Sequence, residues 1–249
     1  MILFLGDSIT WGQGLQIEKW ISEGKSVDFC NKHSVPHYHG EHISYDDDMF
    51  RKSKHFPNLV AKELGVSYST KWGNGGTNDE TTFIIENLEK LIHPYTVQLV
   101  VIQFTDMVRD DLFSYVDNKN FGDLAELNLK NQIFRIDNTL SYPKNKDEII
   151  PWIGISWHKE HSNFLKEKYP NNFVGFEYNN MKFDCLHDLY KWKNNLLREA
   201  DRKSHKLEIK DIYNGIGDGH PSSFAHEIIA ESVLKKIKRE KIQFSKLWK

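Results

Sequence analysis

Residues 1–10 read MILFLGDSIT, and the fold turns on them: a short apolar run, Ile2–Leu5, is closed by Gly6-Asp7-Ser8. Four consecutive apolar residues ending in turn formers read as a buried strand rather than as one face of a helix. A second stretch, Gln98–Phe104 (QLVVIQF), is apolar almost throughout, as expected of a strand covered on both faces. Ile149–Trp157 and Phe173–Tyr178 read as further strands, and Val66–Trp72 alternates like one before running into Gly73-Asn74-Gly75-Gly76. Between them lie helical patterns at Pro57–Leu64, Asn78–Ile92, Leu124–Leu140, His158–Tyr169, Asp184–Lys203 and Ser222–Lys241. Strands alternating with helices predict an α/β fold: a central, mostly parallel sheet with helices on both faces, a three-layer α/β/α sandwich.

No repeat or low-complexity linker interrupts residues 1–249, so the expectation is one domain. Loop insertions are expected near 18–54, where periodicity is weak, and near 106–123. The 249 residues carry 33 Lys+Arg against 35 Asp+Glu, a formal net charge of −2. That balance argues against a nucleic-acid binder. No apolar run reaches the ~20 residues of a membrane helix. The first residues also lack the basic start and long apolar stretch of a signal peptide. With only two cysteines, Cys30 and Cys185, a disulfide framework is excluded. The expectation is a soluble protein, cytoplasmic or virion-associated.

Acyl transfer by a nucleophile needs a hydroxyl, an imidazole to take its proton, a carboxylate to orient the imidazole, and donors for the oxyanion. Ser8 lies just past the C-terminal end of the first strand, where open α/β sheets place their sites. Backbone N–H groups following it, in a short helix such as Thr10–Leu15, would face a developing negative charge. Asp218-Gly219-His220-Pro221 precedes the last helical pattern, so His220 falls on a loop with a carboxylate two residues upstream. His226 competes as base, but its place inside the helix favours His220.

GDSIT at the N-terminus, NGGTND after the second strand and DGHPSSFAHEIIAE near the C-terminus together resemble the GDSL, or SGNH, hydrolase family. The blocks occur in family order from Gly6 to Glu231. The resemblance implies a flavodoxin-like sandwich and hydrolysis of esters without metal or cofactor. It also implies Ser8 as nucleophile, His220 as base, Asp218 as its orienting carboxylate, and Gly76 as a backbone donor to the oxyanion beside the Ser8 amide.

This chain departs from the family pattern twice. Asp-x-x-His spacing would put the acid at Gly217, and Asp218 is one residue closer. The family's asparagine after the third strand is replaced by Thr105, so either the Thr105 hydroxyl or the Asn78 amide completes the oxyanion hole. Asn78 is preferred, because its NH2 is a donor and it lies two residues beyond Gly76. Asp7, Trp11 and Arg109 are candidate substrate contacts, Trp11 as a platform for a sugar ring and Arg109 for an anionic group.

The predicted partner is a small-molecule or glycan ester, with acetyl as the acyl group, and no nucleic acid or membrane-spanning contact. An acyltransferase on the same scaffold, or a glycan-binding module with a degraded site, are the alternatives. A nucleotide-binding flavodoxin-like protein is disfavoured, since Gly73–Gly76 lacks G-x-G-x-x-G and the Walker pattern. His33, His37, His39, Glu41 and His42, followed by Asp46, Asp47 and Asp48, match no tight metal-ligand spacing. They read as a polar, aromatic loop lining a cleft, in which Tyr38 and Tyr45 could meet a sugar. The basic C-terminal stretch KKIKREKIQFSKLWK reads as a solvated helix face.

Overall fold

The computed structural model describes residues 1–26, 29–30, 43–71, 76–91, 96–105, 121–142, 149–189 and 221–244. Its centre is a parallel sheet of β1 (Ile2–Leu5), β2 (Tyr68–Lys71), β3 (Leu99–Phe104) and β4 (Trp152–Ser156) in the order β2-β1-β3-β4. Ile2 through Leu5 pair with Tyr68 through Lys71 on one side and with Leu99 through Ile102 on the other. The first strand of the chain is therefore internal to the sheet, and its C-terminal end opens onto the same edge as that of β3.

Side chains alternate across these strands and divide the core in two. Ile2, Phe4, Leu99, Val101, Ile153 and Ile155 pack on one face against α4 (Phe56–Leu64) and α9 (Ser223–Arg239). Leu3, Leu5, Val100, Ile102, Phe104 and Trp152 pack on the other. That second face is covered by α5 (Asn78–Glu86), α7 (Phe121–Ser141) and α8 (Lys159–Lys168). Burial on both faces is the reason β1 reads as an unbroken apolar run and β3 as one interrupted only by Gln103. The three-layer α/β/α arrangement expected from the sequence is the one observed.

Several boundaries differ from the expectation. The stretch read as an inserted loop contains α2 (Leu15–Ser22) and α3 (Tyr45–Lys54), preceded by the short α1 (Ser8–Trp11). α3 escaped periodicity because its buried residues are Asp47 and Arg51, and Asp47 is held by Lys19 at 2.7 Å. The helix expected to run to Ile92 breaks at Asn87, whose side chain donates to the Phe83 carbonyl, and resumes as α6 (Leu88–Leu91). Phe173–Tyr178 is not one strand. Phe173 forms a parallel bridge to Gly154, whereas Phe176–Tyr178 (β5) turns back into an antiparallel hairpin with Met181–Phe183 (β6). Asn179 and Asn180 make that turn with φ of 50° and 64°, values asparagine tolerates better than most residues. The helix expected over Asp184–Lys203 is described only at 186–189, and most of the 106–123 insertion lies outside the described residues.

His55 joins α3 to α4. Its extended backbone ends one helix and caps the next, and its Nε2 lies 3.0 Å from the Tyr68 hydroxyl. Burial, reinforced by the positive charge of Arg51, pushes its pKa down to about 3. The unfolded chain, with an ordinary histidine near 6.5, binds that proton first, so this group's contribution to stability is lost as pH falls below about 6.5 towards 3. Urea unfolding at pH 7.5 and 5.0 should show wild type losing about 2 kcal/mol more than His55→Gln over that interval. Equal losses would remove His55 from the acid sensitivity.

Candidate active site

At the C-terminal edge of the sheet, β1 passes through Gly6 into Asp7, the N-cap of α1, and Ser8 is the first helical residue, 3% exposed. Asp7 carries out the local work. Its Oδ1 accepts from the Ile9 N–H at 2.9 Å, ending the strand and starting the helix. Its Oδ2 accepts from the Thr105 hydroxyl at 2.5 Å, tying the end of β1 to the end of β3. Gln103, buried on β3, adds a third restraint: its Oε1 accepts from the Asp7 N–H at 3.2 Å and from the Thr10 hydroxyl at 3.3 Å. Only glycine fits at position 6, since a Cβ there would lie 2.4 Å from Thr10 Oγ1 and 2.9 Å from Gln103 Oε1.

Asn78, at the start of α5, is fixed to the same strand end. Its Oδ1 accepts from the Thr105 N–H at 2.9 Å and its Nδ2 donates to the Thr105 carbonyl at 3.3 Å. A capping box between Thr77 and Glu80 sets the start of that helix, with buried Gly76 immediately before it. The structure thus brings Asp7, Thr105 and Asn78 together beside Ser8. Of the two residues weighed as third oxyanion donor, Thr105 has its one hydroxyl proton on Asp7, and Asn78 presents a carboxamide oriented by two bonds to backbone. Trp72–Gly75 lie outside the described residues.

Arg51 covers one face of the Trp11 ring. The Arg51 guanidinium sits 3.8 Å from its ring centroid and donates to its carbonyl, while Asp48 accepts from Arg51 Nε at 3.1 Å. The stack joins α3 to α1, and burial pulls the Arg51 pKa down despite Asp48. His226 is fully buried, stacked on Phe56 (centroids 6.0 Å, 16° between planes), and its Nδ1 accepts from the Phe56 N–H at 3.2 Å. It braces α9 on the first turn of α4, which is a structural position.

Asp218, His220 and Arg109 lie outside the described residues, as do His33, His37, His39, Glu41 and His42. Pro221 lies one residue beyond His220, and the start of α9 is anchored by Glu18 on α2, whose Oε1 accepts from the Ser223 N–H at 2.7 Å. α2 follows α1 after Gly12–Gly14, so one hydrogen bond spanning 205 positions ties the start of α9 to the helix next in sequence to the one that Ser8 begins. Sequence patterning did not reveal Gln103, Glu18 or Arg51, because each acts through a partner distant in the chain. Among the described residues, no group of three or more His, Cys, Asp or Glu is placed to hold a metal ion, and no helix is long and apolar enough to cross a membrane.

No family model and no curated protein sequence matches the chain. Among solved structures, it is similar to a family two carbohydrate esterase from Clostridium thermocellum in complex with cellohexaose, at 16% identity and a TM-score of 0.41 over 96% of this chain. The chain spans 64% of that protein's length. A catalytic mutant of an acetylxylan esterase from Geobacillus stearothermophilus gives 15% identity and a TM-score of 0.44 over 98% of this chain and 96% of that one. A lipolytic-type protein of the G-D-S-L family from Desulfitobacterium hafniense gives 10% and 0.41 over 94% and 98%.

The Thr105 hydroxyl is the donor that satisfies buried Asp7 Oδ2. Thr105→Val keeps the shape and removes the donor, so it should destabilise the fold by about 1–3 kcal/mol in urea unfolding. A loss below a few tenths would mean the bond does not hold the two strand ends together.

Proposed function

We propose that the chain is a serine ester hydrolase that removes short acyl groups, acetyl foremost, from a carbohydrate. The observation carrying this reading is Ser8 itself. It is a hydroxyl at the C-terminal end of an internal parallel strand, on a turn fixed by three buried hydrogen bonds to Asp7. The motif resemblance supports the same reading.

In this mechanism Ser8 Oγ attacks the ester carbonyl while His220 takes its proton, with Asp218 holding the imidazole in the tautomer that can accept it. The C–O π bond opens to a tetrahedral oxyanion, which receives hydrogen bonds from the Ser8 and Gly76 amides and the Asn78 carboxamide. Collapse expels the sugar alkoxide, protonated by His220, and leaves an acyl-serine. Water, deprotonated by His220, attacks the acyl carbon, and Ser8 leaves with that proton to release the carboxylic acid. Thr105 and Gln103 act here as positioning residues, since neither needs to touch the substrate.

Initial rates on a chromogenic acetate ester test the reading. Wild type should turn over well above the spontaneous rate, and Ser8→Ala and His220→Ala should each lose at least about 10³-fold in kcat. Gln103→Leu should lower kcat with little change in KM, because it loosens the nucleophile turn and not the substrate contacts. Indistinguishable rates for wild type and Ser8→Ala would end the proposal.

A further inference from the structure

Away from Ser8, a cavity of about 420 Å³ opens between the β5–β6 hairpin, α8 and the C-terminal half of α9. Its volume falls within the range of small-molecule sites, roughly 300–1,000 Å³. Phe173, Phe176 and Phe183 give it apolar walls, and Lys166, Lys182, Lys235, Lys236 and Arg239 supply five cations against two carboxylates, Glu177 and Asp184. Ser232, Lys235, Lys236 and Arg239 stand at i, i+3, i+4 and i+7 of α9, so they share one helix face.

The cations differ in how far they are already neutralised. Lys166 pairs with Asp184 at 2.9 Å, and Arg239 with Glu240 at 3.1 Å. Lys236 is 5% exposed and donates to the Pro170 carbonyl at 2.8 Å and to Glu240 at 2.9 Å. An ammonium carries three N–H bonds, and the third has no acceptor among the described residues. Lys235 and Lys182 have no carboxylate within ion-pair reach among the described residues, although Glu177 stands opposite Lys182 in the hairpin register. Compensation of the α9 C-terminus does not account for the set, because Lys166 and Lys182 come from other elements.

We propose that this cavity binds a small organic anion whose charged group is attached to an aromatic or otherwise apolar ring. The ring lies against the phenylalanines, and the phosphate or carboxylate meets Lys182, Lys235 and the remaining N–H of Lys236. The lining does not include Ser8, Asp7, Thr105 or Asn78, and at 1.5 Å per residue Ser232–Arg239 lie about 14–24 Å along α9 from its first residue.

Calorimetric titration of the full chain with phenyl phosphate, in a buffer free of phosphate and sulfate, tests the assignment. Saturable binding is expected, at least about tenfold tighter than inorganic phosphate. The doubly substituted Lys182→Glu/Lys235→Glu chain, altered only at exposed side chains, should bind at least about tenfold more weakly, while Ser8→Ala binds as wild type does. Unchanged affinity in the double variant, or loss of binding in Ser8→Ala, would overturn the proposal. So would inorganic phosphate binding as tightly as phenyl phosphate, or capture by anionic lipid vesicles without binding of phenyl phosphate.

Discussion

The buried carboxylate of Asp7 is the interaction on which the rest of the site depends. β1 could end in many ways, but a carboxylate that accepts from Ile9 with one oxygen and from Thr105 with the other allows only one. Buried polar groups are tolerated when their hydrogen bonds are made, and here making them fixes where Ser8 stands. Asn78 extends the restraint by gripping both backbone groups of Thr105, so β1, β3 and the start of α5 converge within one hydrogen-bonded unit. The sheet beneath is packed on both faces and gives that unit a rigid floor.

α9 links this site to the remainder of the molecule. Its first turn is held to α2 by Glu18, and His226 in its second turn is stacked on Phe56 and bonded to the start of α4. Its last turns face the hairpin and present the cationic cavity wall. One helix therefore packs its first turns against α2 and α4 and lines the cationic cavity with its last. The basic stretch that reads as a solvated face in sequence is, in part, the lining of that cavity.

β1, β3 and β4 were legible because burial on both faces leaves a mostly apolar run, as in LVVIQF, where only Gln103 is polar. α3 was not, since YDDDMFRKSK turns Asp47 and Arg51 inward, and apolar periodicity is blind to buried charge satisfied by Lys19 and Asp48. β6 was missed because three residues, Met181–Phe183, make too short a pattern, although Asn179-Asn180 offered a turn signal. Of the candidate site, Ser8, Gly76 and Asn78 could be named from motifs. The bonds of Thr105 to Asp7, of Gln103 to Asp7 and of Glu18 to Ser223 could not, because sequence carries no record of which distant side chains share a proton. His226 shows the converse: a histidine in a suggestive motif whose position is explained by helix packing.

The claim at the centre is that Ser8 is an activated nucleophile. Treatment of the native protein with a fluorophosphonate, followed by proteolysis and mass spectrometry, reads this directly. The account predicts one phosphonyl adduct per chain, on Ser8, lost when the protein is unfolded first and greatly slowed in His220→Ala. An intact, folded protein that stays unlabelled, or that carries its adduct on another residue, would contradict it.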